Sequence, residues 1–562
     1  MRLIYLLLLC TIPLIAQKVP DGYFKNPLEI DLKLSGNFGE LRSNHFHSGL
    51  DIKTNQRIGA DVHATASGYV SRIKIERYGY GKALYITHPN GYTSVYAHLN
   101  KFAPRIEAYV KERQYAQESY MLQLYPGDLD LRVDQGEIVA YSGNSGGSGG
   151  PHLHFEIRDS SAKPINPMLM GIDIPDTKAP IIKQVKVFPL TKNSTINGKH
   201  KAATMRVYMQ KDGTYRTEKI NAYGRIGIGI NTNDSQNGSN NKNGIYEVTS
   251  SFNGSENFKV TFDTYAFNES RHINQMIDYG HFKQYKSRIM KLFIPNNSPL
   301  SLYGDHIDEG KLTLVEPGSS HTYNVVVTDL KGNASKLHID LFNDVVADLP
   351  EVTESDENIE YADANNTFTK TYSNFEVVIP KGALYEEAEL EISESSDTLK
   401  VHRDVIPLHK NMIIKYYLDS KMEDNIDQYY IARITDWGAA YYVSTRRTEN
   451  QLVANTRYFA NYAVTKDDLP PTVKALNFKN KQWLSKKNYL KLKIEDTGSG
   501  IDGYRATVNG KFILMEYDYK TKTLTHDFRD GVVTTTDNEL KVIVTDQVGN
   551  STTFEATFYR KS

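Results

Sequence analysis

Apolar and polar residues alternate in short runs along the N-terminal part of the chain, and glycine interrupts the runs. Within 17–100 the stretches GYVSRIKIE, ALYITH and TSVYAHL show this period of two. Because successive side chains of a strand point to opposite faces of a sheet, the alternation predicts short strands joined by tight turns. Strand signals return at 133–140 and 152–158.

One segment breaks this rhythm. The stretch APRIEAYVKERQYAQESYMLQLY, at about 103–125, has apolar residues at helical spacing with charged residues between them. This pattern predicts a helical insertion in a β domain that covers about 17–175. The stretch GIDIPDTKAP at 171–180 is rich in Pro, Gly and Asp and marks the end of that domain.

An internal repeat organises the rest of the chain. Three pairs of segments match in the same order, at 176–182 and 467–473, 244–254 and 500–510, and 327–333 and 544–550. The matches predict two homologous β-sandwich modules of immunoglobulin-like type, the first with longer loops such as 231–244. We therefore expect a mainly β protein with β modules at 176–345, 346–467 and 468–562.

The Asp, Gly and Asn clusters of the repeated modules have two interpretations. These residues are standard turn formers, and carboxylates are also calcium ligands. The sequence contains no complete calcium-ligand loop, so the pattern favours turns.

Composition narrows the class of function. The chain has 562 residues, which is too long for a single core and indicates several domains. Its 66 Lys+Arg balance 67 Asp+Glu, for a net charge of -1. Because nucleic acid is a polyanion that selects basic surfaces, this balance argues against a nucleic-acid partner.

The N-terminus predicts export. Arg2 precedes the apolar run LIYLLLLCTIPLIA, which ends at Ala16. A basic residue, a short apolar run and a small residue are typical of a signal peptide, here 1–16 with cleavage after Ala16. The run is shorter than the ~20 residues that span a bilayer, and no later segment approaches that length. We expect a protein of the periplasm or cell envelope without a transmembrane span. The only cysteine, Cys10, lies inside this run.

Histidines give the sharpest chemical signal. They occur in an H-x-G-x-D segment (His47 to Asp51), at the end of TSVYAHL (His98), and in the strand-like His152-Leu-His154. Residues i and i+2 of a strand share a face, so His152 and His154 point into one space. Two histidines and one aspartate suit a hydrolytic zinc site, which keeps one position open for water. H-E-x-x-H is absent from the sequence, which excludes a helical zincin.

The segments LRSNHFHSGLDIK, VYAHL and GEIVAYSGNSGGSGGPHLHFEIR closely resemble the lysostaphin-type, or LytM-type, zinc metallopeptidases over about 34–160. The resemblance implies a small antiparallel β catalytic domain that binds one Zn²⁺ through His47, Asp51 and His154. It further implies that His98 and His152 act in catalysis. The predicted function is hydrolysis of the peptide cross-links of bacterial peptidoglycan by a zinc-activated water.

Two residues near this set have open roles. His45 is two residues before His47, and we place it near the metal but outside the ligands. Glu156 lies on the same strand face as His152 and His154. It either orients an imidazole from outside the ligand set or is an exposed carboxylate at a strand end.

Two other functions remain alternatives. Some LytM-type domains have lost ligands and act as activators or binding proteins of the cell envelope, although all five motif residues are present here. A peptidase that acts on exported proteins fits the same active-site sequence. The predicted partners are the peptidoglycan peptide and envelope proteins bound through the C-terminal β modules. The insertion at 103–125 raises the question of whether it covers the substrate groove.

Overall fold

The computed structural model describes residues 22–343, 359–418 and 425–561. The predicted signal peptide at 1–16 lies outside these residues. Strands dominate the described part, which confirms the prediction of a mainly β fold. Among its helices, none is long and apolar enough to cross a membrane.

The N-terminal region is built on two antiparallel sheets. The larger has the order β1-β2-β11-β6-β5-β4-β8, and the smaller has the order β3-β10-β7. Both contribute side chains to one buried core, among them Ile52, Val62, Val139 and Phe155. The strands are β1 Leu34–Gly36, β2 Leu50–Lys53, β3 Asp61–His63, β4 Gly68–Ile75, β5 Lys82–Thr87, β6 Thr93–Ala97, β7 Lys101–Phe102, β8 Leu122–Leu124, β9 Arg132–Val133, β10 Ile138–Tyr141, β11 His152–Arg158 and β12 Pro164–Ile165.

The predicted insertion contains helix α1, Pro104–Ala116, followed by strand β8. Pro104 occupies the first helical turn, where its missing N–H leaves no hydrogen bond unmade. Ile106 and Val110, four residues apart, bury one face of the helix in the core. The helix is shorter than the predicted 103–125 because Leu122–Leu124 pairs with β4 instead.

The next region is a large β module whose sheet order is β15-β13-β18-β24-β23-β19-β20. Its core is continuous with that of the N-terminal region, since one buried cluster extends from Phe24 to Leu341. The elements are β13 Ile181–Pro189, β14 Thr195–Ile196, β15 Ala203–Met205, β16 Val207–Met209, β17 Tyr215–Thr217, β18 Ile220–Asn233, β19 Glu247–Phe252, β20 Ser255–Thr261, α2 Ile273–Met276, α3 Tyr279–Tyr285, β21 Met290–Lys291, β22 Leu312–Leu314, β23 Ser320–Thr328 and β24 Ala334–Phe342.

Two further β modules follow, each with two sheets over its own buried cluster. Their immunoglobulin-like type stays a prediction. The strands of the first are β25 Ile359–Ala362, β26 Phe368–Thr371, β27 Phe375–Ile379, β28 Ala388–Ser395, β29 Thr398–Val401, β30 Met412–Tyr417, β31 Tyr429–Ile434, β32 Ala440–Tyr442, β33 Thr445–Arg447, β34 Gln451–Thr456 and β35 Ala460–Lys466. The strands of the second are β36 Thr472–Ala475, β37 Gln482–Trp483, β38 Tyr489–Glu495, β39 Ile501–Val508, β40 Lys511–Phe512, β41 Glu516–Asp518, β42 Thr523–Asp527, β43 Asp537–Asp546 and β44 Ser551–Tyr559.

The C-terminal module docks on the N-terminal region. Asp530 accepts hydrogen bonds from Lys111 and Tyr115 of helix α1. The buried ammonium of Lys82 lies 2.9 Å from both carboxylate oxygens of Glu516. Helix α1 therefore serves as a contact surface for a module more than 350 positions away in sequence.

Gly49 allows β11 to approach the turn before β2. A Cβ added at Gly49 would lie 2.2 Å from the carbonyl oxygen of Phe155. We expect Gly49→Ala to lower the stability of the N-terminal region by about 1–3 kcal/mol, as overpacked sites do. Gly149→Ala is the control, because a Cβ there meets nothing within 4 Å. Calorimetric melting temperatures would test this, and equal values for the two variants would contradict it.

The Lys82–Glu516 pair yields a second prediction. Glu516→Gln leaves the buried ammonium without its carboxylate, and we expect a loss of about 1–3 kcal/mol in unfolding free energy. The control is Glu495→Gln, which breaks exposed pairs with Lys493 and Lys522 and should have a much smaller effect, because solvent screens exposed ion pairs. Urea unfolding followed by circular dichroism measures both. A larger effect in the control would refute the assignment of Lys82 as a docking residue.

Candidate metal centre

Strand pairing brings the histidine motifs together. In the register of β2 against β11, Asp51 lies directly opposite His154. In the register of β11 against β6, His154 lies opposite Ala97, and His98 follows at the end of β6. Because paired residues project from the same face of a sheet, Asp51 and His154 meet on the face opposite the main core. His98 has a positive φ of 58°, which ends the strand alternation, and its ring centroid lies 5.8 Å from that of His154.

Three side chains converge at the centre of this face. His47 Nε2 lies 3.1 Å from Asp51 Oδ1 and 3.1 Å from His154 Nδ1. His154 Nδ1 lies 2.9 Å from Asp51 Oδ1. Their exposed fractions are 2%, 5% and 3% for His47, Asp51 and His154. The structure thus brings together the three residues that the sequence predicts as ligands.

The outward nitrogen of each imidazole has its own partner. His47 Nδ1 lies 2.7 Å from the carbonyl oxygen of Asn37, and His154 Nε2 lies 2.8 Å from Glu156 Oε1. When each ring donates its N–H outward, the lone pair of the other nitrogen points to the centre. This is how metal-binding histidines are oriented in proteins.

The charges of His47 and Asp51 suit a metal. Burial lowers the pKa of His47 to about 4, so its ring is neutral at neutral pH. Burial alone would raise the pKa of Asp51, but the neighbouring histidines hold it well below its usual range. Arg42 donates a hydrogen bond to the outer oxygen of this carboxylate. Burial alone would lower the pKa of His154, but its hydrogen bonds to Asp51 and Glu156 raise that pKa to about 9, so this ring releases a proton when a metal binds. Neutral imidazoles and an ionised carboxylate are the forms that bind zinc.

Glu156 is fully buried under His154. It accepts hydrogen bonds from Ser48 Oγ at 2.7 Å, from Arg158 Nε at 2.6 Å and from the Tyr80 hydroxyl. Burial would raise its pKa, but Arg158 and His154 hold it below the usual range. Of the two roles open for Glu156, burial argues against an exposed strand-end carboxylate and favours the orientation of His154.

His98 and His152 form a second pair beside the ligands. Their ring centroids are 4.8 Å apart. His98 Nδ1 lies 2.9 Å from the carbonyl oxygen of Ser145, and His152 Nδ1 lies 2.8 Å from that of Gly150. Each ring therefore donates to the backbone and keeps Nε2 as an acceptor. Burial, and after it the charges of His154 and His152, lower the pKa of His98 to about 3.

The residues fit a zinc ion. Two imidazole nitrogens and one carboxylate oxygen lie within 4.8 Å of one another, and three protein ligands leave a position for water. His152 Nε2 is buried without a hydrogen-bond partner among the described residues, and it lies 3.4 Å from Asp51 Oδ1. His152 Nε2 is therefore an unpartnered acceptor beside the metal ligands, and it is suited to receive a proton from a water in the open position.

His45 does not join the ligands. It is exposed, and its Nδ1 lies 2.9 Å from the carbonyl oxygen of Ser43. Several residues that touch the site were not predicted from the sequence, among them Arg42, Arg158, Asn37 and Tyr80. Arg42 lies within the quoted motif and Arg158 shares a strand face with Glu156, whereas Asn37 and Tyr80 stand outside any motif.

An open groove of about 590 Å³ adjoins the metal centre. Asp51 and His152 are among its lining residues. The remaining lining residues are Asp31, Lys33, Ser35, Lys53, Asn55, Gln56, Gly149, Gly150 and Pro151. None of these described lining residues belongs to the insertion at 103–125, which contacts the C-terminal module instead.

Comparison with known families agrees with this geometry. Residues 45–123 and 128–167 match the model of Peptidase family M23, and residues 359–467 match that of the Zu5-like domain. The M23 match includes all five histidine and aspartate positions of the site. The resemblance of the N-terminal region to lysostaphin-type peptidases is thereby confirmed.

Individual relatives match the same part of the chain. DD-carboxypeptidase/endopeptidase Mpg of Neisseria meningitidis serogroup B is 28% identical over 29% of this chain and 29% of its own length. Peptidoglycan DD-endopeptidase ShyA of Vibrio cholerae is 28% identical over 27% of this chain and 30% of its own length. The catalytic domain of lysostaphin from Staphylococcus simulans is 24% identical over 24% of this chain and 90% of that domain, with a TM-score of 0.19. The chain thus spans under a third of the length of these two curated relatives.

Glu156 provides a test of the metal centre. We expect Glu156→Gln to weaken zinc binding by about 10- to 100-fold, because partners that orient a ligand contribute that much to metal affinity. Glu29→Gln, at a carboxylate with an 84% exposed side chain, should leave zinc affinity unchanged. Competition with a chromophoric chelator measures both affinities. Equal zinc affinity of Glu156→Gln and the unaltered protein would rule out this role.

Proposed function

We propose that this chain, an M23-type peptidase over 45–167, is an exported zinc metalloendopeptidase that hydrolyses peptide cross-links of bacterial peptidoglycan. The observation that carries the proposal is the convergence of His47, Asp51 and His154 within 4.8 Å, next to the His98–His152 pair. The M23 match supports a peptidase. The names of two relatives, DD-carboxypeptidase/endopeptidase Mpg and peptidoglycan DD-endopeptidase ShyA, support the peptidoglycan peptide as substrate.

The groove gives the substrate its path. It is open at the surface, and Asp51 and His152 are among its lining residues, so a peptide bound in it lies against the metal centre. The wall at 149–151 contains two glycines, and a Cβ at either would meet nothing within 4 Å. An extended peptide backbone can therefore approach this wall closely.

A zinc ion held by His47, Asp51 and His154 would lower the pKa of a bound water and polarise the scissile carbonyl. The protein supplies the proton chemistry. His152 Nε2 is positioned to accept a proton, because His152 Nδ1 is committed to the carbonyl oxygen of Gly150. His98, similarly held by Ser145, lies beside it with a second acceptor Nε2. A ring whose Nε2 has taken the proton from the water then carries the N–H that can stabilise the oxyanion or return the proton to the leaving amine.

A non-enzymatic activator of envelope proteins is the second candidate. The ligands and both catalytic histidines are present, and their outward atoms are hydrogen bonded, which supports the enzyme. A peptidase of exported proteins would use the same residues, so the substrate is decided by assay. Envelope proteins remain the partners that we propose for the C-terminal β modules.

Purified full-length protein loaded with zinc should cleave cross-linked muropeptides, and mass spectrometry should identify the new ends. We expect His152→Ala and His98→Ala each to lower kcat by about 10²- to 10⁴-fold, the usual contribution of a general acid or base. His306→Ala is the control, because His306 is exposed in the adjacent β module. Intact muropeptides with the zinc-loaded protein would favour the activator or a protein substrate. Full activity of His152→Ala would refute the mechanism.

Asp51→Ala tests the ligand set independently of activity. We expect the zinc content measured by atomic absorption to fall from one per chain to well below one. An unchanged zinc content would contradict the role of Asp51.

A further inference from the structure

Three aspartates meet where the first β module joins the N-terminal region. Asp176 lies in the connection between them, Asp234 follows β18, and Asp329 lies in the turn between β23 and β24. One carboxylate oxygen from each lies within 4.8 Å of the others. Asp234 and Asp329 are only 5% and 6% exposed. Buried carboxylates at this separation repel one another and require compensation.

Hydrogen bonds compensate only part of this cluster. Asp329 accepts from Asn333 N at 2.8 Å and from Asn333 Nδ2 at 2.7 Å. Asp176 Oδ1 accepts from Lys178 N at 3.1 Å. Asp234 Oδ1, in contrast, is buried with no hydrogen-bond partner among the described residues. The same holds for both amide atoms of Asn243, which is 3% exposed and lines the same small cavity.

Cationic side chains do not neutralise the cluster. The ammonium of Lys178 donates to the carbonyl oxygen of Gln236 at 2.8 Å, and that of Lys331 pairs with Asp173. In the described part of the chain, no ion pair reaches Asp176, Asp234 or Asp329. Three acceptor-rich groups therefore surround a small cavity in which no described residue donates a hydrogen bond to Asp234 Oδ1 and no described ion pair neutralises the carboxylates.

We propose that this junction binds one divalent, oxygen-preferring cation of the Ca²⁺ class. Asp176, Asp234 and Asp329 supply carboxylate oxygens, and Asn243 supplies its amide oxygen. Ca²⁺ selects such oxygen ligands, and backbone carbonyls and water complete its six to eight contacts. The cavity that all four residues line measures about 30 Å³. That exceeds the ~10–15 Å³ needed to hold one water-sized occupant.

The repeated module shows why the site is specific to the first copy. Asp467, Asp496 and Asp546 form the equivalent cluster. There a short turn satisfies the carboxylates, since Asp496 Oδ2 accepts from the backbone N–H groups of Gly498 and Gly500. Asp467 and Asp546 accept backbone N–H groups as well. The longer loop after Asp234 replaces this turn and leaves Asp234 Oδ1 without a donor.

Hydrogen bonds of the 234–244 loop connect the proposed cation site to the metal centre. Gln236 Oε1 accepts from Leu34 N at 3.0 Å, and Gly244 exchanges two hydrogen bonds with the side chain of Asn37. The carbonyl of Asn37 in turn holds His47 at 2.7 Å. A cation that fixes 234–244 therefore also helps to fix Asn37, just after β1, which orients a zinc ligand.

Calorimetric titration of the zinc-loaded full-length protein with CaCl₂ tests the proposal, because zinc then occupies the catalytic site. We expect one calcium ion per chain and a rise in melting temperature on binding. Asp234→Asn should weaken calcium binding at least tenfold, and Asp496→Asn, in the second copy, should leave it within about twofold. No binding up to 10 mM CaCl₂ would overturn the proposal. Equal affinity of Asp234→Asn and the unaltered protein would overturn it as well.

A second variant decides the matter if Asp234→Asn fails to fold, as judged by circular dichroism. Asn243→Asp adds a carboxylate to the cluster. With a cation bound, the added charge should tighten calcium binding by several-fold, because ligand charge tunes the affinity of such sites. Unchanged or weaker calcium binding by a folded Asn243→Asp would contradict the ligand role of this residue. Zinc content, measured on the same samples, separates these outcomes from failure of the catalytic site.

Discussion

The metal centre depends on the register in which β2 pairs with β11. That register sets Asp51 opposite His154, and the pairing of β11 with β6 places His98 beside them. A shift of one residue would turn these side chains to the opposite face of the sheet. Leu50 and Ile52 of β2, and Leu153 and Phe155 of β11, are completely buried in the core, so such a shift would also expose the hydrophobic core. The apolar face thus stabilises the geometry of the polar face.

Hydrogen bonds to residues outside the ligand set also hold the ligands, in addition to the packing of the core beneath the sheet. Each has an outward atom bonded to a fixed group, which is Asn37 for His47, Glu156 for His154 and Arg42 for Asp51. These bonds determine which atom of each ligand faces the centre. The arrangement requires little reorganisation when a metal binds, because the imidazole orientations and the ionised carboxylate are already in place.

The modules after the peptidase region contribute to its structure as well as extending the chain. The hydroxyl of Tyr265 donates to the carbonyl oxygen of Phe46, and Phe46 N donates to Ser270 Oγ, so the first module holds the residue next to His47. On the other side of the site, Lys520 of the C-terminal module donates to the carbonyl oxygens of Asn144 and Ser148. Both sets of hydrogen bonds are made to loops that carry or flank site residues. The neighbouring modules therefore help to fix the walls of the groove.

Local patterns in the sequence predicted the mainly β class, which the structure confirms, and also predicted the repeat of the modules and the set of five histidine and aspartate residues. These follow from alternation and short spacing, which act over a few residues. Other features depend on partners far along the chain. They are the end of helix α1 before strand β8, the burial of Glu156 and the roles of Asn37 and Tyr80. The same is true of the two aspartate clusters, which look alike in sequence. Only tertiary structure decided that one has its carboxylates satisfied by a turn while the other leaves Asp234 without a donor, because hydrogen-bond satisfaction depends on how distant segments pack.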